Sequence, residues 1–358
     1  MSTREQLVLV SSYAPPGVPG IYAFGFDLAS GALRPLGSYA GVASPSFLAL
    51  HPDGRRLFAA AETSVGDEQP ASVCALTMAR APWALADRGS QPSGGDWPCH
   101  LTIDATGRWL AVSNYGSGTA RLFPIGEAGL GEPGEPLRHA GGGPNAERQE
   151  GPHAHSAIFA PDNRFLIVAD LGIDRLVVYA FDAATGAATR HGEAPARPGA
   201  GPRHMAFHPS GQLLYVSNEL DNTVTAYAYN PAAGALAPGE VLPTLPVATA
   251  TSYVSDIHLA PAGDRLYVAN RGHNSIAVFD VGAGGELAPL ATRPCGGDWP
   301  RNFAIAPDGR HILVANQHSG DLSVLPLLAG PEAIGLPVAR AEVPRTACVI
   351  FAGEVGDA

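Results

Sequence analysis

The sequence predicts an all-β fold, a seven-bladed β-propeller of four-stranded antiparallel blades, read as one domain over residues 1–358 and closed by both termini. Two observations lead there. A motif returns every 46 to 56 residues, the span of a propeller blade. The composition, with 43 Gly, 33 Pro and only 15% charged residues, suits many short strands joined by tight turns.

The motif begins at Ser46 as SFLALHPDGRRLFAAAE and recurs from Cys99, His155, Arg203, Ser255 and Arg301. In each copy an apolar run meets a P-D-G-R-like turn at Gly54, Gly107, Asn163, Gly211, Gly263 or Gly309. Pro presets φ there, and Gly or Asn accepts φ > 0. A second apolar run, a small polar turn and an alternating third strand follow, a pattern of hairpins and not of helices. Two fragments remain. Leu7–Phe26 resembles the middle and later strands of a blade, and Thr346–Phe351 resembles an innermost strand. Together they predict a seventh blade that removes the open edges of the first and last sheets. The inserts Gly126–Gly151 and Pro231–Thr251 are expected as outer-strand and rim loops.

Composition excludes several chemistries. All 22 basic residues are arginine, so Schiff-base chemistry and a P-loop lysine are absent. A net charge of −11 argues against nucleic acid as partner, and an anionic ligand would need a local arginine cluster. Cys74, Cys99, Cys295 and Cys348 stand far apart and form neither a disulfide framework nor a zinc motif. The short apolar run near the N-terminus lacks a signal-peptide core, and no later stretch would span a membrane. A cytoplasmic monomer with no membrane partner is the expectation.

The repeats supply their own comparison. The second strand closes on Asn114, Asp170, Asn218, Asn270 and Asn316, with Ala61 in the first copy, which reads as scaffold bonded to nearby turns. The next position diverges as Glu62, Tyr115, Leu171, Glu219, Arg271 and Gln317. The position opening the innermost strand diverges as Ser46, Cys99, His155, Arg203, Ser255 and Arg301, and its follower as Phe47, His100, Ser156, His204, Asp256 and Asn302. Both sets share one rim, which collects His155, Arg203, Glu219, Arg271 and Arg301. Arginine forks suit a carboxylate or phosphate, and an imidazole takes a proton from water near neutrality. Glu219 would orient His155, hold an arginine, or act as base itself. His100, His153 and His204 join Arg301 as substrate-binding candidates, against a reading of His153, His204 and His258 as core or strand-start histidines. Trp97 and Trp299, in two near-duplicate GGDWP segments, are expected to pack between blades. The several arginines of the rim argue against bound Ca²⁺, and no metal or cofactor is expected.

The segments Arg148–Ser156, Gly201–His204, Val216–Leu220, Ala269–His273 and Asp298–Phe303 resemble the propeller lactonase family, which includes bacterial 6-phosphogluconolactonases and fungal muconate-lactonizing enzymes. The resemblance covers all blades and implies metal-independent chemistry on a small anionic lactone. It puts the active-site residues on His155, Arg203, Glu219 and Arg271. It also implies opening of 6-phospho-D-glucono-1,5-lactone in the oxidative pentose phosphate pathway. In that reading His155 activates water with Glu219 assisting, and Arg203 and Arg271 bind phosphate and the developing oxyanion. The alternatives are a lactonase or lactonizing cycloisomerase for another anionic lactone such as a muconolactone, and a propeller that binds without turnover.

Overall fold

A computed structural model describes residues 5–247 and 251–356. Met1–Arg4, part of the segment read for a signal core, and residues 248–250 of the second insert lie outside the described residues. Among the described residues the chain forms seven sheets in which sequence neighbours pair antiparallel. Blades 1 to 6 begin with the innermost strands Pro45–Leu50, Pro98–Ile103, Ala154–Phe159, Pro202–Phe207, Tyr253–Leu259 and Pro300–Ile305. Adjacent innermost strands touch around a complete ring.

Blade 7 takes its innermost strand from Thr346–Glu354 and its other three from Glu5–Ser12, Ile21–Asp27 and Leu33–Tyr39. Leu9 pairs with Ile350 and Val10 with Val349, so backbone hydrogen bonds join the two ends of the chain as expected.

Both faces of each second strand are buried, which is why these strands read as apolar runs. In Phe165–Asp170, Leu166 and Val168 pack toward blade 2, while Ile167 and Ala169 pack toward blade 4. Each of the seven hydrophobic clusters straddles one pair of neighbouring blades. The core is therefore a ring of interfaces around a polar axis. The turn glycines adopt positive φ, for example +67° at Gly54 and +68° at Gly211, with Asn163 at +57°.

Asn114, Asn218, Asn270 and Asn316 are fully or almost fully buried. Each donates through Nδ2 to a hydroxyl that opens or follows the next strand: Thr119, Thr223, Ser275 and Ser323, at 2.8–3.2 Å. Asn218 also donates to Thr225 (2.9 Å). Asn218→Ala is expected to leave two buried hydroxyls short of a partner. It should cost about 1–3 kcal/mol, read as a lower urea midpoint at unchanged m.

A recurrent irregularity sets the rim. In blades 1 to 6 the pairing of innermost and second strands slips near the strand start: between Pro45 and Phe47, Pro98 and His100, Ala154 and Ser156, Pro202 and Met205, Val254 and Ile257, and Pro300 and Asn302. The skipped residues include Ser46, Cys99, His155, Arg203, Ser255 and Arg301. A bulged residue is released from the ladder and its side chain is re-aimed. The turn before the strand is pinned in turn to the residue after the second strand: Glu62 N donates to Ser44 O (3.1 Å), Tyr115 N to Trp97 O (3.0 Å) and Glu219 N to Gly201 O (2.8 Å). Both variable positions are thereby held together on one rim.

Candidate active site

These rim residues enclose a cavity of about 310 Å³ lined by Glu62, Trp97, Cys99, Tyr115, Arg148, His155, Glu219, Arg271 and Arg301. Glu219 on blade 4 lies at the centre of a charge cluster. Its Oε2 accepts from Arg203 Nε (3.0 Å) and lies 2.8 Å from Arg271 Nη2, while Oε1 accepts from Arg148 Nη2 (2.7 Å). Burial alone would raise this carboxyl's pKa. Arg271, Arg203 and Arg148 outweigh it and hold the group well below the usual carboxylate range. A carboxylate so occupied is a poor base; it acts as counter-ion and clamp for the arginines.

His155 Nε2 is 3.9 Å from Glu219 Oε2. Burial, then Arg203, His204, Arg301 and Arg271, push the imidazole's pKa well below 6.5. These influences favour the neutral imidazole, one of whose two nitrogens carries a lone pair able to accept a proton. Arg271 is brought down to about 10 by burial against the pull of Glu219, and so stays charged. Arg148, Arg271 and Arg301 line the cavity with Glu62 and Glu219, leaving one positive charge in excess at the mouth of a chain whose net charge is −11. The arrangement can hold an anion, polarise a carbonyl and move a proton.

The structure brings His155, Glu219, Arg271 and Arg301 onto the cavity. Arg203, expected to contact substrate, is not among the lining residues. That side chain is 2% exposed and lies beneath Glu219, with Nη1 donating to Ser255 O (2.5 Å). His100, His153 and His204 are also off the cavity lining. His153 stacks on Tyr115 at 4.5 Å, and its Nδ1 donates to Tyr115 O (2.9 Å). His204 and His100 lie in the channel, their rings 5.3 Å apart. There His204 Nδ1 meets Asp256 Oδ1 (2.7 Å), and Asp256 also accepts from Asn302 Nδ2 (2.5 Å). In blades 2, 3 and 6 the bulged residues Cys99, His155 and Arg301 line the cavity while their followers His100, Ser156 and Asn302 do not; in blade 4 neither Arg203 nor His204 lines it.

Trp97 departs from the packing expected of it. The residue is 47% exposed on the cavity rim, its ring stacked on Tyr115 at 6.4 Å. Trp299 instead stacks on His318 at 4.5 Å with the Arg271 guanidinium 5.6 Å from its ring.

The cavity also takes in Arg148, Tyr115 and Glu62, with Tyr13 beside it, none of which the sequence comparison placed in the site. Arg148 belongs to the first insert, which has no counterpart in the other blades. The insert is tied down by His139 to the Asp170 carboxylate (2.6 Å) and by Gln149 Nε2 to Leu171 O (2.8 Å). Tyr13, at the mouth of blade 7, donates its hydroxyl to Glu62 Oε2 (2.8 Å) and carries Arg301 over its ring at 5.0 Å. Among the described residues no group of three or more His, Cys, Asp or Glu is gathered as a metal site, and no helix is long and apolar enough to cross a membrane.

The seven-bladed β-propeller lactonase family model matches residues 7–351. The 6-phosphogluconolactonase of Bacillus subtilis (strain 168) is 37% identical over 297 residues, covering 82% of this chain and 83% of that one. A Bacteroides fragilis structure provisionally assigned as a 6-phosphogluconolactonase superposes with a TM-score of 0.90 at 30% identity, over 98% of this chain and 99% of that one. A periplasmic gluconolactonase of Pseudomonas aeruginosa reaches 0.90 at 27% identity, over 97% and 99%.

Proposed function

We propose, because this chain belongs to the seven-bladed β-propeller lactonase family, that it hydrolyses 6-phospho-D-glucono-1,5-lactone to 6-phosphogluconate. The observation that carries the reading is a buried His155 on an arginine-lined cavity with excess positive charge. The name borne by the Bacillus subtilis relative supports the substrate.

In this reading His155 Nε2 takes a proton from water as its oxygen bonds to the lactone carbonyl carbon. Charge collects on the carbonyl oxygen, where Arg271 and Arg148 stabilise it; one such donor is worth about 10²–10³-fold in rate. The tetrahedral intermediate collapses, the bond from that carbon to the ring oxygen breaks, and imidazolium returns its proton to the departing oxygen. Arg301 holds the phosphate. Glu219 and Arg203 position the guanidiniums. The step needs no metal or cofactor, and we place it in the oxidative pentose phosphate pathway of the cytoplasm, in a monomer.

The test is a panel of lactones opened by purified protein in EDTA, with spontaneous hydrolysis subtracted. The phosphorylated gluconolactone is expected to give the highest kcat/KM, above unphosphorylated gluconolactone and above muconolactone. A higher value for muconolactone would replace the substrate with a carboxylate-bearing lactone, and turnover of none would leave a binding propeller.

A further inference from the structure

The two carboxylates of the cavity are not equivalent. Glu219 has both oxygens engaged by arginines and a side chain only 5% exposed. Glu62, on blade 1 across the ring, is 18% exposed and accepts from Tyr13 through Oε2 alone. Its Oε1 lies 3.8 Å from Arg301 Nη2, beyond hydrogen-bond reach. An ionised carboxylate only accepts hydrogen bonds. Facing a cavity built for anions, it repels a ligand that brings no donor and rewards one whose hydroxyls lie beside its negative group.

Trp97 is built onto the same turn. Its backbone N donates to Thr63 O (3.0 Å) and its Nε1 to Ser64 Oγ (3.0 Å), so the two residues after Glu62 hold the indole. With its N–H already engaged and 47% of the residue exposed, the ring offers a rigid apolar face next to an acceptor-only group. A sugar-derived ring carries that pairing, C–H on one face and O–H at the edge.

We propose that Glu62 and Trp97 form the hydroxyl-reading half of the cavity, selecting polyhydroxylated anions over hydroxyl-free dicarboxylates. The proposal deepens the lactonase reading, yet it can be tested by binding without turnover. Calorimetric titration of the full chain would compare 6-phosphogluconate with adipate, for wild type, Glu62→Gln and Trp97→Ala, the fold of each checked by its melting temperature.

Glu62→Gln is expected to weaken 6-phosphogluconate by about 10–100-fold, the value of hydrogen bonds to a charged group, while adipate binding is unchanged or tighter. Trp97→Ala, at an exposed position, is expected to weaken 6-phosphogluconate more than adipate. Equal weakening of both ligands by Glu62→Gln would show that Glu62 serves only to hold Arg301 and Tyr13, and would overturn the proposal. So would unchanged affinities, or no binding of either ligand to wild type. If the expected pattern holds while wild type opens no lactone, the hydroxyl-reading site stands and the proposed reaction falls.

Discussion

His155→Gln is expected to lower kcat for lactone opening by about 10²–10⁴-fold, the usual contribution of a positioned general base. Glutamine approximates the ring's length and polarity but cannot accept and return the proton, so the melting temperature should change little beside the loss of rate. The wild-type pH profile supplies a second reading of the same group. Burial and the surrounding guanidiniums lower the His155 pKa below 6.5, so the base-competent neutral form persists as pH falls through 6.5 and the acid limb of kcat/KM lies below that value. A limb at or above 6.5, or a variant retaining a tenth of the activity, would remove His155 from the role.

The second large effect is on stability. Glu219→Ala leaves Arg203 and Arg271, 2% and 6% exposed, without the carboxylate they share. Breaking a buried ion pair by removing one partner costs about 3–5 kcal/mol, a large share of the roughly 5–15 kcal/mol that holds a domain together. The expected result is a markedly lower denaturant midpoint together with loss of turnover. Stability within about 0.5 kcal/mol of wild type, as for a substitution that breaks no network, would contradict the clamp role of Glu219.

The architecture was legible because blades repeat, so one pattern was read six times and the two terminal fragments could be matched against it. The rim is legible for the same reason: where five of the six copies keep Asn or Asp, the neighbour free to vary stands out, as Glu219 and Arg271 do. Repeats reveal the level at which a residue sits, but not where a bulge aims it. Arg203 thus entered as a substrate contact and lies under Glu219, while His204 turns toward Asp256 in the channel. Arg148 has no equivalent in the other blades, and Tyr13 belongs to a blade interrupted by the chain ends, so neither could be found by comparison. The near-duplicate GGDWP segments give both Trp97 and Trp299 a positive φ, yet only Trp97 lines the cavity, a difference their shared motif does not carry.

The most direct measurement is the rate of 6-phospho-D-glucono-1,5-lactone opening by the purified wild-type chain in EDTA, with the spontaneous rate subtracted. Saturable turnover far above background is expected. A rate indistinguishable from the spontaneous one, in a preparation shown to be folded, would contradict it.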